Sequence, residues 1–141
     1  MNRSRSRWRP LFPPGPPLAR GLLLGWGLLL ALGIFLARGR LGRVVVDGPS
    51  MEPTLASGDR LLLLRLGAPR VGDIIAVTDP RPGGRLLVKR VAAFQGDQIV
   101  VVGDNQSAST DSWDFGPVDR RAVLGRAVYR YGPPGRSGRL P

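Results

Sequence analysis

The sequence predicts an all-β domain preceded by one membrane-crossing helix. Three observations carry that expectation. Short runs of aliphatic and β-branched residues recur after residue 42. Clusters of Gly, Pro and Asp separate them, which is turn chemistry between strands. Ahead of them lies one apolar stretch of 17 residues without a charge.

That stretch, residues 21–37, reads GLLLGWGLLLALGIFLA. Leu18 and Ala19 extend it to 18–37, with the Arg20 guanidinium able to snorkel to the headgroups. Backbone groups inside a bilayer must bond internally, so a spanning segment has to be helical. A cleaved export signal would need a small-x-small exit, and none precedes Arg38. A buried helix that is apolar all round would need a larger core than the remaining chain supplies. Arg3, Arg5, Arg7, Arg9 and Arg20 precede the span; Arg38, Arg40 and Arg43 follow it. The imbalance favours a cytoplasmic N-terminus and residues 44–141 on the outer face. Residues 1–17, rich in Arg, Ser and Pro, read as a disordered basic tail.

Charge distribution supports a membrane rather than a nucleic-acid partner. The net charge is +11. Residues 1–46 hold eight Arg and no acid, whereas residues 47–141 hold 13 basic and 10 acidic groups. The excess therefore flanks the apolar stretch, and no nucleic-acid footprint remains. The chain has neither cysteine nor histidine. That excludes a disulfide framework, a thiolate nucleophile, a Cys/His zinc site and a Ser-His-Asp triad.

Strands are expected at 43–46, 60–66, 73–78, 86–94, 98–102 and 122–131. Six short strands in about 90 residues make one small β-sandwich or barrel-like domain, mixed or antiparallel, over 44–131. Residues 52–56 allow one helical turn, and no other helical period appears. Residues 132–141, rich in Gly, Pro and Arg, read as a flexible tail.

Among 21 basic residues, 20 are Arg and one is Lys. The exception, Lys89, sits inside the apolar strand Leu86-Leu87-Val88-Lys89-Arg90-Val91. Arginine stays protonated in proteins and cannot accept a proton, whereas a buried lysine can. Each unit by which burial depresses its pKa costs about 1.4 kcal/mol, a cost that general-base work would justify. Strand alternation puts Leu87, Lys89 and Val91 on one face, which favours burial. The bland alternative is a lysine on a solvated edge. A lysine base needs a nucleophile. Ser50, in Asp47-Gly48-Pro49-Ser50-Met51-Glu52-Pro53, follows a fixed turn that can present a hydroxyl and its own N–H. Taken alone, the segment is equally a surface turn.

The segment Gly48-Pro49-Ser50-Met51-Glu52-Pro53-Thr54-Leu55 resembles the nucleophile box of type I signal peptidases, the Ser/Lys-dyad membrane endopeptidases. Further segments follow in that family's order: Gly58-Asp59-Arg60, Val71-Gly72-Asp73-Ile74-Ile75, Val88-Lys89-Arg90-Val91, then Gly103-Asp104-Asn105 with Ser109-Thr110-Asp111-Ser112. The likeness covers roughly residues 44–131. The chain is also similar to short members called nickel-type superoxide dismutase maturation proteases, since only seven residues separate Lys89 from Asp97.

The resemblance implies a serine endopeptidase that removes leader segments from precursor polypeptides, either general or dedicated to one precursor. It implies Ser50 as nucleophile and Lys89 as general base. Ser50 N–H would supply an oxyanion donor, Gly48 would stand where a second donor is often a serine, and Ser109 would orient the lysine. Val46, Met51, Leu55 and Val88 match positions around small substrate pockets. Asp104, Asn105 and Asp111 match a structural box, with Trp113 in place of an arginine that usually pairs with the last of these. Arg90 or Arg120 is expected to take over that pairing. No metal or organic cofactor is implied, and the substrate would bind as an extended strand. Two readings from other classes stand beside this one. A non-catalytic membrane-tethered β-module would leave Ser50 and Lys89 unimportant. A self-cleaving Ser/Lys repressor would need a DNA-binding helical domain where residues 1–43 offer an anchor.

Overall fold

The computed structural model describes the backbone of residues 17–141 and the side chains of residues 26–36 and 38–141. The chain divides into two units, Met1–Leu36 and Ala37–Pro141. In the first, helix α1 (Pro17–Arg38) covers the apolar stretch. It stops at Gly39 with a basic residue in its last turn, where the helix dipole favours one. Trp26, Leu28 and Phe35 are exposed on it. Among the described residues no helix is long and apolar enough to cross a membrane. The expected span at 18–37 is seen as a helix. Residues 1–16 of the expected tail lie outside the described residues.

The second unit is one antiparallel sheet. Its strands are β1 (Leu41–Val45), β2 (Arg60–Leu64), β3 (Ile74–Thr78), β4 (Leu86–Gln95), β5 (Gln98–Val102), β6 (Val118–Asp119), β7 (Val123–Gly132) and β8 (Gly138–Arg139). Their order is β1-β2-β7-β3-β4-β5-β6, with β8 also on β7. All pairings are antiparallel. The all-β expectation holds, and the six expected strands appear within three residues at each end. Two two-residue strands are additional, as is a short helix α2 (Ser112–Phe115). The 52–56 segment forms turns rather than a helix.

Alternation explains the core. Leu61 and Leu63 of β2, and Ile99 and Val101 of β5, point inward while their neighbours are more exposed. Central β3 is buried on both faces, which is why Ile74-Ile75-Ala76-Val77 reads as a continuous apolar run. Ile74 and Ala76 join one cluster with Val44, Val46, Leu61, Leu63 and Val88. Ile75 and Val77 join the other with Val91, Ile99, Val101 and Val118. A bulge at Ala92 shifts the pattern in β4, so that Phe94 rather than Ala93 packs on the second cluster.

The loop between β1 and β2 carries Ser50, and its base is tied by a buried acid. Val46 N–H donates to Asp59 O at 2.8 Å and Gly58 N–H donates to Val46 O at 2.9 Å. The Asp59 carboxylate accepts from Ala56 N–H at 3.0 Å, Arg130 at 3.2 Å and Arg136 at 3.1 Å. Arg130 also reaches the Thr54 carbonyl at 3.2 Å. Residues 132–141, expected as a flexible tail, therefore hold part of this knot. They also carry β8, and Leu140 packs on the first cluster. Asp59→Ala is expected to destabilise the domain by about 2 kcal/mol, because it removes the buried acceptor of Ala56 N–H, of half-buried Arg130 and of the more exposed Arg136. Urea unfolding of this variant against Arg139→Ala, an exposed change expected to cost under about 0.5 kcal/mol, measures it.

Candidate active site

The Ser50 loop is shaped locally. Gly48 has φ 82°, a conformation that side chains resist. Glu52 N–H donates to Pro49 O at 3.0 Å, and Leu55 N–H donates to Met51 O at 2.8 Å. Met51 and Leu55 are fully buried in the first core cluster. The resemblance implied that they line a substrate pocket; instead they root the loop in the core. Ser50 is left half-buried at the surface between these anchors. Its N–H makes no hydrogen bond among the described residues. Gly48 N–H is already taken by Ser57 Oγ at 3.3 Å, so Gly48 offers no free second donor.

Lys89 lies on β4 opposite Ile75 of β3, and only 2% of it is exposed. Its Nζ donates to Ser109 Oγ at 2.8 Å. Ser109 Oγ in turn donates to Asp111 Oδ2 at 2.9 Å. The hydroxyl proton is committed to the carboxylate, so Ser109 accepts from the amine. One amine N–H is thereby fixed, and the nitrogen lone pair is left to point elsewhere. Burial pushes the Lys89 amine below its ordinary pKa; Asp111 and Asp114 oppose this and Arg81 adds to it. For Asp111 burial acts upward. It is outweighed by Gly103 N–H at 3.1 Å, Trp113 N–H at 3.1 Å, the Ser109 hydroxyl and Lys89, which together hold the carboxyl below its usual range. Asp111 is also the N-cap of α2, with Asp114 Oδ2 accepting from Asp111 N–H at 2.9 Å.

The expected rescue of Asp111 by an arginine is not what the fold uses. Arg90 grips Asp104 with two bonds, Nε at 2.8 Å and a terminal nitrogen at 2.6 Å, and donates to Gly72 O at 2.8 Å. Arg120 stacks on Phe94 at 4.9 Å. Asp111 is satisfied by N–H and O–H donors alone, so Trp113 can replace an arginine and stay 84% exposed. Arg90 holds the Asp104 carboxyl below its usual range against burial, helped by the Thr54 hydroxyl. Asp104 thus links β4 to the Ser50 loop. Asn105 N–H donates to Ser50 O at 3.0 Å.

Ser50 and Lys89 share the walls of two cavities. One, of about 230 Å³, runs between Val45-Val46-Asp47 and Leu86-Leu87-Val88. The other, of about 220 Å³, is lined by Asp47, Gly48, Pro49, Arg81, Arg85, Leu86, Leu87, Ala108 and Thr110. The two groups face one cleft without a hydrogen bond between them among the described residues. Val46 and Val88 line the first of these cavities. Arg81 and Arg85 escaped the sequence reading, because a Pro/Gly-rich turn between β3 and β4 gives no chemical signal. Arg81 is fixed by a two-bond grip on Asp79 at 2.9 and 2.7 Å, which holds that buried carboxyl at about 2. It also stacks on Phe115 at 5.4 Å.

Gly103 was the other residue missed as an individual. A Cβ there would stand 2.2 Å from Ser109 Oγ and 2.5 Å from Ser50 O. The backbone at 103 is the spacer that sets Ser50 and Ser109 at their separation. Gly103→Ala is expected to push the two apart, with kcat lowered at least about 100-fold and an overall fold that survives. Circular dichroism beside peptide cleavage checks this.

Lys89 also predicts a stability slope. Its folded-state pKa lies below the unfolded value of 10.5. Between those values the unfolded chain holds the extra proton, so stability rises with pH across that window and is least below it. Lys89→Met is expected to abolish this rise. Unfolding free energies of both proteins from neutral to alkaline pH test it, and parallel curves would count against a depressed amine.

Comparison with known proteins places the chain. The model of the family described as signal peptidase, peptidase S26, matches residues 20–102. The mitochondrial ATP-independent inner membrane protease subunit 1a of Arabidopsis thaliana is 34% identical over 122 residues, covering 67% of this chain and 73% of that protein. The mitochondrial inner membrane protease subunit 1 of Xenopus tropicalis is 31% identical over 136 residues, covering 79% and 81%. The human subunit 1 is 30% identical over 117 residues, covering 65% and 70%. With more than half its length matched and relatives covered over most of theirs, this chain belongs to the signal peptidase S26 family of peptidases.

Proposed function

We propose that this peptidase is a membrane-anchored serine endopeptidase that removes N-terminal leader segments from precursor polypeptides with a Ser50/Lys89 dyad. The observation that carries the reading is the buried Lys89 amine, steered by Ser109 and facing the cleft that Ser50 also lines. Ser50 Oγ attacks the scissile carbonyl carbon while its proton passes to the Lys89 lone pair. The oxyanion accepts from Ser50 N–H. Collapse expels the new amine terminus, which takes the proton from Lys89 and leaves an ester on Ser50. Water then gives a proton to Lys89 as its oxygen attacks the ester. The second collapse releases the acid and returns that proton to Ser50 Oγ.

Strand addition is the favoured mode of substrate binding. β1 pairs only with β2, and β5 begins to pair with β4 only at Arg90. One edge of β1 and one edge of residues 86–89 are therefore open, and the cleft lies between them. An extended peptide placed there would bond to both edges and carry its carbonyl past Ser50. Val45, Val46 and Val88 leave room for small side chains before the cut bond. The anchor is α1, on which Trp26, Leu28, Leu30 and Phe35 are exposed, and relatives named as inner membrane proteases support a membrane setting. Its flanking arginines favour a cytoplasmic N-terminus and a catalytic domain on the outer face.

Cleavage of a leader-bearing precursor by full-length variants tests the dyad. Ser50→Ala and Lys89→Arg are each expected to lose at least about 1,000-fold in kcat, the second because it keeps the charge and removes the base. Ser109→Ala is expected to lose about 100-fold, with partial rescue by Ser109→Thr. Wild-type kcat/KM should rise with pH as the free enzyme's amine deprotonates. An active Lys89→Arg enzyme would refute the assignment.

A further inference from the structure

A cavity of about 240 Å³ shares no lining residue with the Ser50 cleft. Three guanidinium-bearing side chains line it, Arg65, Arg120 and Arg126, beside apolar Leu64, Pro69 and Leu124. Its positive charge is poorly neutralised. Arg126 has a long contact to Asp73 at 3.5 Å, while Arg65 and Arg120 form no ion pair among the described residues. Arg120 is stacked on Phe94, which orients its plane and leaves its edge donors available.

The cavity's place in the chain narrows the ligand. Arg65 N–H donates to Arg40 O at 2.8 Å, and Leu64 pairs with Leu41. The basic cavity therefore stands beside Arg40 and Leu41 at the start of β1. On this margin Leu41, Leu66 and Leu124 are each more than 40% exposed. Exposed leucines around unpaired arginines suit a ligand with an anionic head and an apolar body. Arginine's planar fork fits phosphate oxygens in pairs, and the apolar wall has no use for a bare phosphate ion.

We propose that this cavity binds the phosphate headgroup of an anionic glycerophospholipid. Arg65 and Arg120 hold the phosphate oxygens, and the exposed leucines meet the glycerol and acyl region. The site is independent of the proteolytic chemistry.

Thermal unfolding of the full chain in neutral detergent tests it, because a ligand that binds only the folded state raises Tm. Short-chain phosphatidylglycerol is expected to raise Tm in a saturable way. Phosphatidylcholine of the same chain length and inorganic phosphate at the same concentration should not. Arg65→Glu is expected to weaken the apparent affinity at least about tenfold. Arg139→Glu makes the same charge change away from the cavity and should respond as wild type does. Arg65→Ala, which adds no acid, gives the same loss if the guanidinium is the contact. An equal rise with phosphatidylcholine, an equal rise with inorganic phosphate, or unchanged affinity in both Arg65 variants would each overturn the proposal.

Discussion

The site depends on one buried amine whose described hydrogen bond goes to a hydroxyl. A lysine 2% exposed would ordinarily recruit a carboxylate in direct contact and stay charged. Here Asp111 is held one atom further away, behind Ser109. The interposed hydroxyl weakens the pull of the carboxylate on the amine while passing on its orientation. Asp111 itself is saturated by two backbone N–H groups, so it has little need of the ammonium. In the proposed dyad the arrangement would solve a specific conflict. A general base must be buried enough to lose its proton, yet aimed well enough to collect another. Direct pairing would serve aim at the cost of basicity in the needed protonation state.

Holding that amine opposite a hydroxyl from a different loop is a problem of distance, and backbone contacts solve it. Residues 103–105 touch both the Ser50 loop and Ser109, the serine that holds the amine. Gly103 lies against Ser50 O and Ser109 Oγ, and Asn105 N–H bonds to Ser50 O. Between them Asp104 takes the Arg90 fork, which fixes the segment to the residue next to Lys89. The Ser50 loop is held separately at its base by Asp59 with Arg130 and Arg136. Two ion-pair knots, both drawn from segments far apart in sequence, thus fix the Ser50 loop and the strand that carries Lys89. Half-buried multidentate arginine pairs suit this work, because their value lies in fixed geometry more than in net stability.

Much of this was legible in the residues, and the omissions have physical causes. Strand positions followed from alternation and turn chemistry, which are local. The isolation of Lys89 among 20 arginines marked it by chemistry alone. Strands β6 and β8, with two residues each, are too short to show a period; they exist because partners β5 and β7 stand ready. Met51 and Leu55 stand close to Ser50 in sequence, and the resemblance set them around a substrate pocket. Loop curvature turns them into the core instead. The partner of Arg90 was misassigned for a similar reason. Asp104 and Asp111 sit seven residues apart in one segment, and the 3-10 turn Gln106–Ala108 between them decides which of them meets Arg90. Residues 132–141 read as a fraying tail because Gly and Pro carry no periodic signal, yet Arg136 acts in three dimensions through Asp59.

The same contrast between local and distant determinants bears on the chain's all-arginine habit. Where a site needs only a fixed positive charge, as at Asp59, Asp79 and Asp104, arginine supplies it with a planar fork that also sets geometry. Under the proposed dyad the requirement at Lys89 is reversed. The group must be able to be neutral, and no fork is needed because one hydroxyl aims it. A guanidinium at position 89 would keep its proton at any relevant pH. Composition and geometry therefore constrain the same atom independently. An arrangement serving only stability would have no reason to abandon arginine at this single position, since a buried ammonium is the costlier of the two cations to desolvate.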